Sequence, residues 1–177
     1  FKELVQVSTS LRALHCYPYR ISICKAINAK HLRYLDLSYS NFAKLPDSIC
    51  VLYNLQTLRL ICCRELRQLP KDMARLRKLT HLYLYGCYHL KSMSPNFGLL
   101  NNLHILTTFF VGTGHGLGIE QLKDLKHLSN RLELLNLNNL YRMIGVHELY
   151  GFDYWHLRYV DVGRRRTLYT EVMPAAV

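Results

Sequence analysis

The strongest constraint on this chain is a leucine spacing that repeats. From His31 to Asn102 the anchors Leu32, Leu55 and Leu79 stand 23 and 24 residues apart, and Leu103 follows 24 further on. Each anchor opens the same pattern: Leu32, Leu35 and Leu37, then Leu55, Leu58 and Leu60, then Leu79, Leu82 and Leu84. Eight residues after each anchor comes a small residue, Ser40, Cys63 or Cys87. A second apolar set trails behind: Leu45, Ile49 and Leu52, then Leu69, Met73 and Leu76, then Met93, Phe97 and Leu100. The first set alternates with period two, which predicts a short strand with its leucines on one face. The second set, three or four residues apart after Leu45-Pro46 and Leu69-Pro70, predicts a short helix or turn on the opposite side. Proline is tolerated at the start of such a segment because its missing N–H would find no partner there. No single copy can bury both apolar rows, so the copies must stack.

A period in the twenties with the pattern L-x-x-L-x-L-x-x-N/C-x-L is the signature of the leucine-rich repeat. The expected fold class is therefore α/β, a leucine-rich-repeat solenoid. It would be a short horseshoe arc with a parallel sheet on the concave face and short helices or turns on the convex face. Strands lie about 4.8 Å apart, so five copies give a concave face only about 20 Å long. Ser40, Cys63 and Cys87 fall where the chain turns in from the strand, a place suited to a small side chain. Cys62, Cys63 and Cys87 show no C-x-x-C spacing, and no metal site is expected from them.

Residues 1–30 have the form of a degenerate first repeat, with Leu11 and Leu14 as a strand start and Ile21, Ile23 and Ile27 as apolar filler. Residues 31–140 carry about four to five copies, with a loop insertion over 111–130. Within that insertion Gly112, Gly114, Gly116 and Gly118 fit neither G-x-G-x-x-G nor the lysine-bearing phosphate loop, so a flexible loop is expected. Ile119 to Leu128 has helical spacing, and Leu132, Leu135, Leu137 and Leu140 reopen the repeat. Residues 141–177 hold Trp155, a tyrosine-rich run and Arg164-Arg165-Arg166, with no repeat register. They are expected to form a terminal cap, a disordered end or read-through of non-coding sequence.

At 177 residues and half hydrophobic, the chain has the size of one domain with a sizeable core. It starts at Phe1, which suggests a piece of a longer protein. Six cysteines without a paired framework and the lack of any N-x-[ST] acceptor favour a reducing, cytoplasmic setting. The formal charge is +11, and Leu55 to Asn102 carries eight Lys or Arg against two acids. Six of these bases, Arg64, Arg67, Lys71, Arg75, Arg77 and Lys78, are candidates for a basic patch toward an acidic protein surface. They lie on turn and convex segments without a nucleic-acid motif, so nucleic acid is not the expected partner. No apolar run reaches the length of a membrane span.

Strand positions between the leucines should point out of the concave face. Counted from the anchors, they give Arg33, Tyr34, Asp36, Ser38 and Tyr39 in the first full repeat, with Phe109, Phe110 and Leu134 in later ones. The candidate protein-binding residues are Arg33, Tyr34, Asp36, Arg59, His81, Tyr83 and Tyr85, because tyrosine and arginine combine large contact area with a polar handle. Asp36 lies two strands from His81, roughly 10 Å along the stack, too far for a hydrogen-bonded catalytic pair. No enzyme activity is expected.

Several stretches resemble the leucine-rich repeats of plant intracellular immune receptors, the nucleotide-binding, leucine-rich-repeat disease-resistance proteins. They are His31 to Ser38, Leu45 to Ile49, Leu52 to Leu58, Leu69 to Met73 and His81 to Cys87. Leu117 to Leu125, followed by Asn130 to Leu134, is similar to the cereal coiled-coil type. The resemblance covers roughly residues 8–140. It implies a sensor module whose early repeats hold the nucleotide-binding module inactive. Later repeats would meet a pathogen effector or a guarded host protein in the defence response. ADP or ATP would then bind only the nucleotide-binding module of the parent protein, and this chain would need no cofactor. The alternative is a leucine-rich substrate adaptor of the F-box type, or another generic protein-binding scaffold.

Overall fold

The computed structural model describes residues 10–16, 29–129, 131–137, 139 and 160–161. Five short strands, β1 (Ala13–His15), β2 (Tyr34–Asp36), β3 (Thr57–Arg59), β4 (His81–Tyr83) and β5 (Ile105–Leu106), form one parallel sheet in chain order. Leu14, Leu35, Leu58, Leu82 and Leu106 are register partners straight across it. The leucine pattern dictates this: a slip of one residue would turn every core leucine to solvent. The degenerate first repeat thus supplies a strand in register through Leu14.

The apolar rows meet in a single core. Leu32, Leu55, Leu79 and Leu103 are fully buried, as are Leu58, Leu60, Leu82 and Leu84. Met73, Phe97, Leu76 and Leu100 close the core from the convex side. There the chain makes 3-10 turns at Asp47–Val51, Met73–Arg75, Phe97–Leu99 and Ile119–Asp124. Bonds such as Leu52 N to Ile49 O (3.0 Å) and Leu76 N to Met73 O (3.0 Å) give the tight i→i+3 pattern. A repeat of 23 or 24 residues leaves no length for a full α-helix on that side. Pro46 stands just ahead of the first of these turns, where no N–H is required.

The turn-in residues sit as the spacing predicts. Cys63 Sγ donates to Leu37 O (3.2 Å) and Cys87 Sγ to Leu60 O (2.8 Å), each tying one repeat to the one before. Ser40 is buried, and its Oγ has no hydrogen-bond partner among the described residues. The residue ahead of each, Tyr39, Cys62 and Gly86, takes a left-handed φ of 63°, 56° and 79° to make the bend. At Gly86 a Cβ would come within 2.9 Å of Cys62 Sγ, so the glycine is required by close approach as well as by φ.

After β5 the sheet stops and a second one starts: β6 (Thr108–Phe110) pairs in parallel with β7 (Arg131–Leu135). The cause is Thr107. In the earlier repeats the corresponding strand bonds run to backbone oxygens, Leu37 N to Arg59 O and Leu60 N to Tyr83 O. Here Leu84 N donates instead to Thr107 Oγ1 (2.9 Å), and Thr107 O accepts from Glu133 N (3.0 Å). The hydroxyl satisfies one neighbour while the carbonyl turns to the other. Phe109 and Phe110 are both fully buried, Phe109 packing edge-on to Phe97 at 6.2 Å. Leu134 pairs with Phe109 and is buried as well. These three residues correct the expectation that they would line the concave face: counting from the anchors cannot register a step within the strand.

The glycine-bearing loop is closed by Gly112 N to Leu117 O (2.8 Å) and Leu117 N to Gly114 O (3.0 Å). Of the tail beyond residue 140, the described part is β8 (Val160–Asp161), which pairs antiparallel with Arg131 and Leu132. The rest of that tail, including Trp155 and the Arg164–Arg166 triplet, lies outside the described residues. No helix among the described residues is long and apolar enough to cross a membrane.

Candidate functional site

The side chains four residues past each anchor form a chain of contacts across β1 to β4: His15, Asp36, Arg59 and Tyr83. Asp36 is the centre. Its Oδ1 accepts from Ser38 N (3.0 Å) and Ser38 Oγ (2.5 Å), and its Oδ2 lies 3.1 Å from His15 Nδ1. Tyr34 donates its hydroxyl to the same oxygen at 3.4 Å. Arg59 Nε stands 3.4 Å from Oδ2, an ion pair by distance that lacks hydrogen-bond alignment. The Arg59 guanidinium then covers the Tyr83 ring at 5.3 Å, a cation–π contact, and Tyr83 stacks with His81 at 6.4 Å and 19°.

Burial by itself would raise the Asp36 pKa. The two Ser38 bonds, with Arg59 and His15, outweigh that and hold it below the ordinary carboxylate value. The site is thus an anchored carboxylate carrying an aromatic and cationic surface.

The seven residues expected on the concave face divide accordingly. Arg33 is exposed at the start of β2; Tyr34, Arg59, His81 and Tyr83 are half-buried in the sheet. Tyr85 is 52% exposed on the turn beyond β4. Asp36 differs from expectation, since it is buried under His15, Tyr34 and Arg59 and positions those side chains. His15 is a member that strand-by-strand reasoning missed, while Ser38, expected to point out of the concave face, is instead buried against Asp36. Extending the column to Leu11 would have found His15, because it too lies four residues past its anchor.

All six basic-patch residues are exposed, but they run round one repeat instead of sharing a face. Arg64 and Arg67 follow β3, Lys71 and Arg75 flank the convex turn, and Arg77 and Lys78 lead into β4. Three are already engaged: Arg75 with Asp72 (3.6 Å), Arg77 with Leu99 O (2.9 Å) and Lys78 with Asn54 Oδ1 (2.7 Å). Arg64, Arg67 and Lys71 make no side-chain ion pair or hydrogen bond among the described residues.

The neighbouring Cys63 thiol, together with burial, pushes the Cys87 pKa up. Among the described residues no group of three or more His, Cys, Asp or Glu could hold a metal ion.

A parallel one-strand-per-turn stack with a polar, aromatic concave face defines a leucine-rich-repeat binding module. The chain belongs to the leucine-rich repeat region family, whose family model matches residues 10–146. Three relatives from Arabidopsis thaliana are named as disease resistance proteins. At3g14460 is 40% identical over 77% of this chain and 10% of its own length. RPP13-like protein 1 is 37% identical over 90% and 15%, and At1g61300 is 34% identical over 69% and 18%. The chain thus spans less than a fifth of the length of each of these relatives.

Proposed function

We propose that this chain is the non-catalytic recognition module of a cytoplasmic plant immune receptor. The observation that carries the reading is the Asp36-anchored surface of Tyr34, Arg59, Tyr83 and His81, set on a fully leucine-packed sheet and pointing away from it. Support for the setting comes from the relatives named for disease resistance. The concave face meets a pathogen effector or a guarded host protein. The basic belt, through Arg64, Arg67 and Lys71 above all, holds the parent's own nucleotide-binding module at rest. ADP or ATP belongs to that module.

The test uses the full-length parent receptor expressed in leaf tissue. Reversing the charges at Arg64, Arg67, Arg75 and Arg77 should weaken packing between the modules and give cell death without a pathogen. A resting receptor that stays silent, with interdomain binding unchanged, refutes the basic-belt assignment. Replacing Arg59 and Tyr83 by alanine should leave the receptor silent but abolish its response; a retained response refutes the concave-face assignment.

A further inference from the structure

Arg12 and Arg33 occupy the same position, one residue past their anchors, on neighbouring strands. Their backbones are joined directly, Arg33 N donating to Arg12 O at 2.7 Å, and both side chains are exposed. With Ser10, His31 and Asn54 they line an open groove of about 380 Å³ at the starts of β1 to β3. No carboxylate lines it. The one acid among the described residues of the first two repeats up to Ser40 is Asp36, already committed to Ser38, His15 and Arg59.

Two like charges side by side across a strand pair are unfavourable, and no ion pair among the described residues relieves these two. A bound anion would. The same column continues as Gln56, Thr80 and His104, so its fixed positive charge is concentrated at the β1–β2 end. Asn54 forms a fixed wall, its Nδ2 bonded to Lys30 O (2.8 Å) and its Oδ1 to Lys78 Nζ (2.7 Å).

The kind of anion follows from which donors remain. Phosphate sites draw on clustered backbone N–H groups. Here the N–H groups of Arg33, Tyr34, Gln56 and Thr57 all donate to the preceding strand. The donors left are side chains, two guanidinium forks that pair bidentately with carboxylates as with phosphates, so it is the spent backbone N–H groups that favour the carboxylate. We propose that the groove binds the Asp or Glu carboxylates of an acidic protein segment laid across the strand starts, one carboxylate on Arg12 and the next on Arg33. That the occupant is a protein rests on the concave-face reading above.

The test is fluorescence polarisation of a labelled hexaglutamate peptide with the whole chain at low salt, beside hexaglutamine. Arg12→Ala and Arg33→Ala should each weaken hexaglutamate binding about tenfold, while Lys123→Ala with Lys126→Ala, exposed bases outside both proposed surfaces, changes it less than about twofold. Arg12→Lys and Arg33→Lys keep the charge without the fork and should fall in between. Equal losses from the Lys123/Lys126 pair, unchanged binding in the groove variants, or equal binding of hexaglutamine would overturn the proposal. Displacement by pyrophosphate at lower concentration than by unlabelled peptide would also overturn it, in favour of a phosphoryl ligand. A failed groove leaves the Arg59 and Tyr83 reading untouched, because neither residue lines it.

Discussion

Replacing Asp36 tests whether one buried carboxylate organises the concave surface. Asp36→Ala leaves Ser38 N–H, a buried donor, without its acceptor, which costs about 1–3 kcal/mol. It also removes the charge-assisted bond from Ser38 Oγ. The ion pairs add less. The side chains of His15 and Arg59 are 55% and 38% exposed, so solvent screening limits each to about 0.5 kcal/mol. The expected loss is about 3 kcal/mol in urea unfolding followed by far-ultraviolet circular dichroism. Asp36→Asn keeps an oxygen for Ser38 and should lose only about 1 kcal/mol.

The pH dependence gives an independent check. The folded Asp36 pKa lies below its ordinary value of 3.8, so its contribution is complete above that pH. It is lost as pH falls through the lower, folded value. The gap between the native protein and Asp36→Asn should therefore hold from pH 7 down to about 4 and narrow below it. A loss under about 0.5 kcal/mol for Asp36→Ala, or equal losses for Ala and Asn, would refute the reasoning.

Two further outcomes follow from the geometry. Thr107→Val removes the oxygen that accepts from Leu84 N and should cost about 1–3 kcal/mol, measured by the same unfolding; a neutral result would mean that Thr107 does not cause the break in the sheet. Alkylation with iodoacetamide at pH 8, read by peptide mass spectrometry, should modify half-exposed Cys62 well before buried Cys50, whose thiol burial pushes up to about 11. Equal rates would contradict that burial.

Leucine spacing carried most of the architecture because each anchor has one face to bury and one neighbour to bury it against. The strands at Tyr34, Thr57 and His81 and the turn-in thiols of Cys63 and Cys87 were legible for that reason. Phe109 and Phe110 were not, because the switch depends on which oxygen of Thr107 faces Leu84. Counting shows that Thr107 is a threonine but says nothing about the direction of its carbonyl. The concave residues were found by position, while the burial of Asp36 depends on side chains arriving from β1 and β3. Arg12 is not legible in this way, because the repeat opened by Leu11 departs from the spacing that marks the columns.

The Thr107 step also limits how such a gene could be shuffled. Strand partners from β2 to β5 are offset by 23 or 24 residues, so a unit copied or deleted among them by unequal crossing-over returns each leucine to the core. Across Thr107 the offset becomes 25, while the anchors Leu103 and Leu132 stand 29 apart. A crossover that joined an upstream unit directly to β7 would leave the Thr107 carbonyl's partner, Glu133 N, facing the wrong residue. Duplication is structurally silent on one side of this residue, and on the other it breaks the register.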